Sequence, residues 1–211
     1  MSLIAKYEER DNAYVKVPTG MHLACCYRII DLGTHAFEWE GRAKINRKIV
    51  IQWEIHSEDD QGNPTVTANG DPLSQHQTYT LSLGEKATLR QHLASWRGRD
   101  FTKEELRGFE LKNLLGVWAM ITIATRVGKN GKEYRNVVSV SPVPASMKKA
   151  GLPPIFNRLE MFNTERPDME MFESFREYWK EQITASHEWQ ARQQPKQVVQ
   201  ASDDIEQDVP F

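Results

Sequence analysis

The chain has 211 residues, enough for one domain of ordinary size with extensions and short for two, and its 27% charged and 39% hydrophobic residues fit a soluble globular protein. The first ten residues lack the apolar stretch of a signal peptide, and the most apolar run, Val117 to Ala124, is far too short to span a bilayer. A net charge of −2 conceals a division: residues 1–163 hold 22 Lys and Arg against 18 Asp and Glu, whereas residues 164–211 hold 5 against 11. A basic body with an acidic end implies a surface for polyanions and a tail able to compete for it. The two cysteines, Cys25 and Cys26, are adjacent, so a mutual disulfide would be strained and reduced structural thiols in a cytoplasm are expected.

The first half reads as strands. Leu23, Cys25, Tyr27 and Ile29 alternate with His22, Ala24, Cys26 and Arg28, and Gly33-Thr34-His35 then punctuates before Phe37 and Trp39 alternate with Glu38 and Glu40. Beyond Gly41 a basic stretch leads into Ile49, Ile51, Trp53 and Ile55, which alternate with Val50, Gln52 and Glu54. Residues 57–76 predict a long polar loop, with room for a short strand near Val66, and Tyr79, Leu81 and Leu83 mark a fourth β segment.

Helical signals follow. Ser82-Leu83-Gly84-Glu85 has the pattern of a capping box, and Leu89, Leu93 and Trp96 repeat at helical spacing up to Gly98. Thr102-Lys103-Glu104-Glu105 predicts a second, short helix before Gly108, and Gly116 closes the segment from Leu111 to Leu115. Strand character returns at Val117, Ala119, Ile121 and Ile123, and a turn over Gly128-Lys129-Asn130-Gly131 leads to a partner strand from Tyr134 to Val140. A linker rich in proline then precedes residues 168–189, which predict one amphipathic helix with Met169, Phe172, Phe175, Trp179 and Ile183 along one side. From Gln190 onward, Gln, charge and Pro predict a disordered acidic tail.

The expected class is therefore mainly β with added helices. Three strands, a helical segment and a closing hairpin follow the order of an OB-fold, a five-stranded Greek-key barrel, here elaborated; a β-sandwich could carry the same strands. The expected organisation is a barrel domain over residues 1–145, a linker and amphipathic helix over 146–189 that packs on the barrel or a partner, and a flexible tail over 190–211.

Two clusters combine cations with rings, the combination that single-stranded nucleic acid requires for its phosphates and its exposed base faces. Phe37 and Trp39 precede Arg42, Lys44, Arg47 and Lys48 at one turn, and Arg126, Lys129, Lys132 and Arg135 surround the last hairpin, with Tyr134 and Trp118 on its strands. In an OB-fold these loops flank the ligand face, although basic hairpin loops are also commonly just solvated. Trp53 and Trp96 share stripes with aliphatic residues and are expected in the core. Trp118 lies opposite Ala119, Ile121 and Ile123 and is a better candidate for stacking, while Phe37 and Trp39 alternate with glutamates and could equally point inward.

Enzyme motifs are missing: there is no Gly-rich phosphate loop, paired Cys-x-x-Cys or Gly-x-Ser-x-Gly elbow, and the six histidines are scattered with none paired at metal-ligand spacing. Asp31, Glu38, Glu40 and Glu54 on neighbouring strands are the strongest set for a metal-dependent nuclease. Alternating Glu is ordinary on a half-exposed strand, and the expectation is a non-enzymatic protein with no metal and no cofactor.

The segment 202–211 carries Asp203, Asp204, Glu206 and Asp208, no base, and ends in Pro210-Phe211. Such a string gains nothing from folding; it can solubilise, or it can present Phe211 to a pocket while carboxylates meet Lys or Arg at the rim. It resembles the acidic, Phe-terminated tails of bacterial and phage single-stranded-DNA-binding proteins. The runs from Leu81 to Arg90, Trp96 to Thr102, Lys112 to Gly116 and Gly131 to Val137, with Ser141-Pro142 after them, are similar to a phage family of such proteins over roughly residues 20–145. The resemblance implies an OB-fold and roles in phage DNA replication, recombination and repair, in the cytoplasm of the host cell, with the tail recruiting partner proteins. It departs from the bacterial proteins in its long helical region after the barrel and its less densely acidic tail. The other class open to this sequence is an adaptor or inhibitor that binds a host or phage protein without nucleic acid; the apolar stripe of residues 168–189 could serve it, or a homodimer.

Overall fold

A computed structural model describes residues 16–58, 61–128 and 131–193. The chain is mainly β. A long strand β1 (Gly20–Trp39) pairs antiparallel along most of its length with β2 (Arg42–Ile55) and, through its first six residues, with β4 (Trp118–Val127). Adding β3 (Ser74–Thr80) and β5 (Glu133–Ser141) gives the order β3-β2-β1-β4-β5, and β6 (Glu160–Phe162) runs parallel beside β1. The outer strands β3 and β5 approach each other: Gln75 Nε2 donates to the Arg135 carbonyl at 2.9 Å, and Gln77 Oε1 accepts from the Val137 N–H at 3.1 Å.

Between β3 and β4 lie α1 (Thr88–Arg97), α2 (Lys103–Arg107) and a 3-10 turn (Leu111–Leu114). Leu89, Leu93 and Trp96 of α1 bury against Ile49, Ile51, Trp53 and Ile55 of β2 and Ala119, Ile121 and Ile123 of β4, forming the main core. Gly98 ends α1 in the left-handed region, at φ 70°. Thr102 and Glu105 form the reciprocal capping box expected for α2. Ser82-Glu85 does not start a helix: Ser82 Oγ accepts from the Gly84 N–H in a local turn, and α1 begins only at Thr88.

Three further expectations are corrected. Gly33 does not separate two strands; β1 continues through a bulge there with Gly33 at φ 80°, and a Cβ at this position would collide with the Ser186 side chain. The linker is partly ordered into α3 (Ala145–Ala150) and β6. The single helix over 168–189 is three short ones: α4 (Met169–Glu173), α5 (Glu177–Thr184) and α6 (His187–Gln193). Arg176 is extended, at ψ 148°, and Ser174 and Ser186 bond back to the carbonyls of Met171 and Ile183, so the chain turns twice to follow the curved sheet.

These helices and β6 cover the outer face of the sheet. Phe162, Phe172, Phe175, Trp179 and Ile183 pack on Ile30, Leu32 and Val50 in a second buried cluster. Each residue of β2 from Ile49 to Ile55 is consequently buried, whichever way it points. No helix among the described residues is long and apolar enough to cross a membrane.

Because Trp179 is 3% exposed and joins this cluster to His76 of β3, replacing it tests whether the outer layer is integral. Trp179→Ala should cost about 3–5 kcal/mol of unfolding free energy. In urea unfolding followed by circular dichroism, a loss below 1 kcal/mol would mean that the outer layer adds little to the fold.

Candidate nucleic-acid interface

Beyond the covered part of the sheet, β1 and β2 continue as a two-stranded arm. Its turn, Glu40-Gly41, has both residues at positive φ (52° and 72°), which matches the twist of a two-residue hairpin. The register sets Phe37 opposite Lys44 and Trp39 opposite Arg42, while Glu38 lies opposite Ala43. Directly paired residues share a face, so Phe37 and Lys44 stand together, and Glu38 shares the other face with Ile45. Phe37, Arg42, Lys44 and Ile45 are all exposed. Phe37 escapes the core because the sheet beneath the arm has ended.

A second arm is formed by β4 and β5. Arg126 lies opposite Tyr134, both exposed, and Lys132 is exposed at the turn. On the other face Arg135 lies opposite Thr125 and donates to its hydroxyl through Nη1, while Arg135 Nε is buried without a hydrogen-bond partner among the described residues. Lys129 lies outside the described residues, as do Asp203, Asp204, Glu206, Asp208, Pro210 and Phe211 of the tail.

Trp118 does not join either arm. It opens β4, eight residues before Arg126, which along a strand is about 27 Å. There it is half-buried, edge-on to His56 with ring centroids 5.0 Å apart, and borders an apolar pocket of about 280 Å³ beside Trp96 and Val117.

Arg47 is also distinct from the other cations. Its Nε and Nη2 donate to Asp31 at 3.1 and 2.6 Å, and both terminal nitrogens reach Glu165 at 3.3 Å. The hydrogen bonds from Arg47 to Asp31 push the guanidinium pKa up, overriding its partial burial. Lys48, on β2 opposite Thr80, is half-buried at the root of the arm. Of the cations on the two arms, Arg42, Lys44, Arg126 and Lys132 are exposed, and Lys48 is half-buried.

The four carboxylates weighed for metal chemistry are separated in use. Asp31 accepts from the Thr164 hydroxyl at 2.6 Å and the Gly33 N–H at 3.0 Å as well as from Arg47. Glu54, fully buried, accepts from the Phe156 and Asn157 N–H groups at 2.9 and 2.7 Å, from Asn157 Nδ2 and from His56 Nε2. Glu38 and Glu40 belong to the arm. Among the described residues no group of three or more His, Cys, Asp or Glu side chains could hold a metal ion. The sheet carboxylates act as latches for the covering segment, and Glu188 of α6 adds a third latch in reverse, accepting from the Thr34 N–H and hydroxyl at 2.7 and 2.6 Å.

No protein-family model matches this chain, and no curated protein matches it.

Burial alone would raise the carboxyl pKa values of Asp31, Glu54 and Glu188, but the hydrogen bonds each accepts outweigh it and hold all three below their usual values of 3.8 or 4.5. A carboxyl lowered on folding gives stability that is present above its unfolded pKa and lost as pH falls through its folded one. The urea midpoint should therefore hold from about pH 7 to pH 5 and fall steeply below about pH 4. Asp31→Asn leaves Arg47 only the exposed Glu165 as carboxylate and should cost on the order of 3 kcal/mol at neutral pH while flattening the acid limb. An unchanged pH profile in this variant would show that the latches do not govern acid stability.

Proposed function

We propose that this chain is a non-enzymatic, sequence-tolerant binder of single-stranded DNA built on an elaborated OB-fold. The fold assignment is supported by the strand order, by a first strand shared between β2 and β4, by the helical insertion between β3 and β4, and by the approach of β3 to β5. The observation that carries the binding reading is the pairing of exposed ring with exposed cation on two hairpin arms: Phe37 opposite Lys44, and Tyr134 opposite Arg126. Cations there meet phosphates and rings meet bases, whereas a duplex hides its base faces from the rings. The resemblance noted in the sequence adds roles in phage DNA replication, recombination and repair in the host cytoplasm, with the acidic tail recruiting proteins of those pathways and competing with DNA for the basic arms.

One surface favours the second reading, a protein-binding adaptor. Phe156, Leu159 and Met161 are exposed together along the segment that covers the sheet, and Phe156 is 60% exposed. An adaptor would use that patch and ignore oligonucleotides.

Titration of a fluorescent poly-thymidine oligonucleotide at several salt concentrations separates the two. If Arg42, Lys44, Lys48, Arg126 and Lys132 each neutralise one phosphate, log affinity should fall with log salt at a slope of about −3.5. Lys44→Ala and Arg126→Ala should each make that slope shallower by about 0.7, and Tyr134→Ala should cost about 1–3 kcal/mol of stacking. Arg47→Ala should affect stability more than the slope. Absence of binding, or equal affinity for a duplex of the same length, would sink the proposal and favour the adaptor.

A further inference from the structure

Where β3 and β5 approach each other, they leave a cleft of about 340 Å³ lined by residues 75–78 of β3, residues 133–136 of β5 and Lys16. That is the small end of the range that takes small-molecule ligands. The lining is amide-rich. Gln75 and Gln77 span the gap, each with an amide bonded to the β5 backbone, and Asn136 stands on the outer wall beside Tyr134. One feature distinguishes this cleft from a track for phosphate. Glu133 lies in the wall together with Lys16, so an anion would meet a carboxylate as well as an ammonium. Arg135 also lines the cleft, but its guanidinium reaches the Thr125 hydroxyl on β4.

A neutral, flat ligand bearing both donors and acceptors fits such a lining. We propose that the cleft takes one nucleobase of the bound single strand, its polar edge directed at the amides and its ring against Tyr134. This rests on the nucleic-acid reading above. The cleft lies beside the exposed pair Tyr134 and Arg126, and Thr78 and Thr80 on the neighbouring edge strand are exposed, with Thr80 paired to Lys48. A strand whose phosphates meet Lys48 and Arg126 would pass over the opening, and an unstacked base can turn in and be read on its polar edge.

The test uses the full chain and a poly-thymidine oligonucleotide carrying 5-iodouracil at a single position, moved along the strand. Irradiation of the complex and mass spectrometry locate the cross-linked residue, and gel mobility records binding in parallel. The expected result is a cross-link on Tyr134 or within residues 75–78. Its yield should fall at least fivefold in Tyr134→Ala and in Thr78→Trp, which fills the opening, and persist in Tyr134→Phe. Cross-links confined to Phe37 or Trp118 with normal gel mobility would overturn the base cleft and leave DNA binding standing. No mobility shift and no cross-link would remove the DNA reading and the cleft together.

Discussion

The rest of the structure depends on the burial of β2 from both sides. Ile49, Ile51, Trp53 and Ile55 point into the main core, as any amphipathic strand requires, but Val50, Gln52 and Glu54 on the other face are buried as well. An exposed sheet face carrying Ile30, Leu32 and Val50 would be an aggregation hazard, and residues 154–193 remove it by laying β6 and three short helices across it. The apolar part of that cover supplies the driving force. The polar part fixes its position, because Asp31 and Glu54 accept N–H groups from Thr164, Phe156 and Asn157 at defined points along the chain. A buried carboxylate is expensive unless saturated with donors, so these two act as positional constraints more than as sources of net stability.

The same cover decides where a ligand can go. Over its extent the outer face of the sheet is shut, and no strand of nucleic acid can lie across Ile30, Leu32 or Val50 without displacing the protein's own chain. The cover stops at the root of the first arm, where Glu188 grips Thr34 and where Gly33 has room for Ser186 only because it lacks a Cβ. Past that point residues 36–38 and 40–45 of the β1–β2 hairpin are exposed. The places where exposed cations and rings pair on strands beyond the cover are the two arms, with the seam between β3 and β5 beside the second.

Much of this was legible in the sequence, and the failures have physical causes. Period-two alternation locates β2, β4 and β5 and the core faces of β2 and β4, and the Thr102 capping box and Gly98 mark real helix boundaries, because those signals are local; β3 instead lies at Ser74–Thr80, ahead of the segment expected from Tyr79 to Leu83. The outward face of β2 was not legible: Gln52 and Glu54 alternating with isoleucines look like a solvated surface, and the donors that bury Glu54 lie about a hundred residues downstream, at Phe156 and Asn157. Gly33 reads as a break because glycine in a strand weakens it, yet here it admits another segment. The spacing of Met169, Phe172, Phe175, Trp179 and Ile183 fits one helix, and four of these are buried while Met169 is exposed; the breaks at Arg176 and Ser186 come from wrapping a curved surface, which periodicity cannot register. Among the cations, nothing in the run Arg42-Ala43-Lys44-Ile45-Asn46-Arg47-Lys48 marks Arg47 as the one turned toward a carboxylate.

That difference between Arg47 and Lys44 bears on how such an arm works. Arg47 holds Asp31 with two parallel N–H bonds, a geometry suited to the planar guanidinium, and through Asp31 it reaches Thr164 and Gly33. It ties the root of the arm to the covering segment at the point where the sheet loses support. Lys44, three residues further out, carries a compact charge on a flexible stem and shares a face with Phe37, so it can follow a phosphate without disturbing anything beneath it. The order of the cations along the strand thus divides one basic run into an anchor and a reach. If the arm takes a single strand as proposed, a rigid root limits the conformational freedom left to lose on binding, so restraint at Arg47 would contribute to affinity even though its charge is already spent.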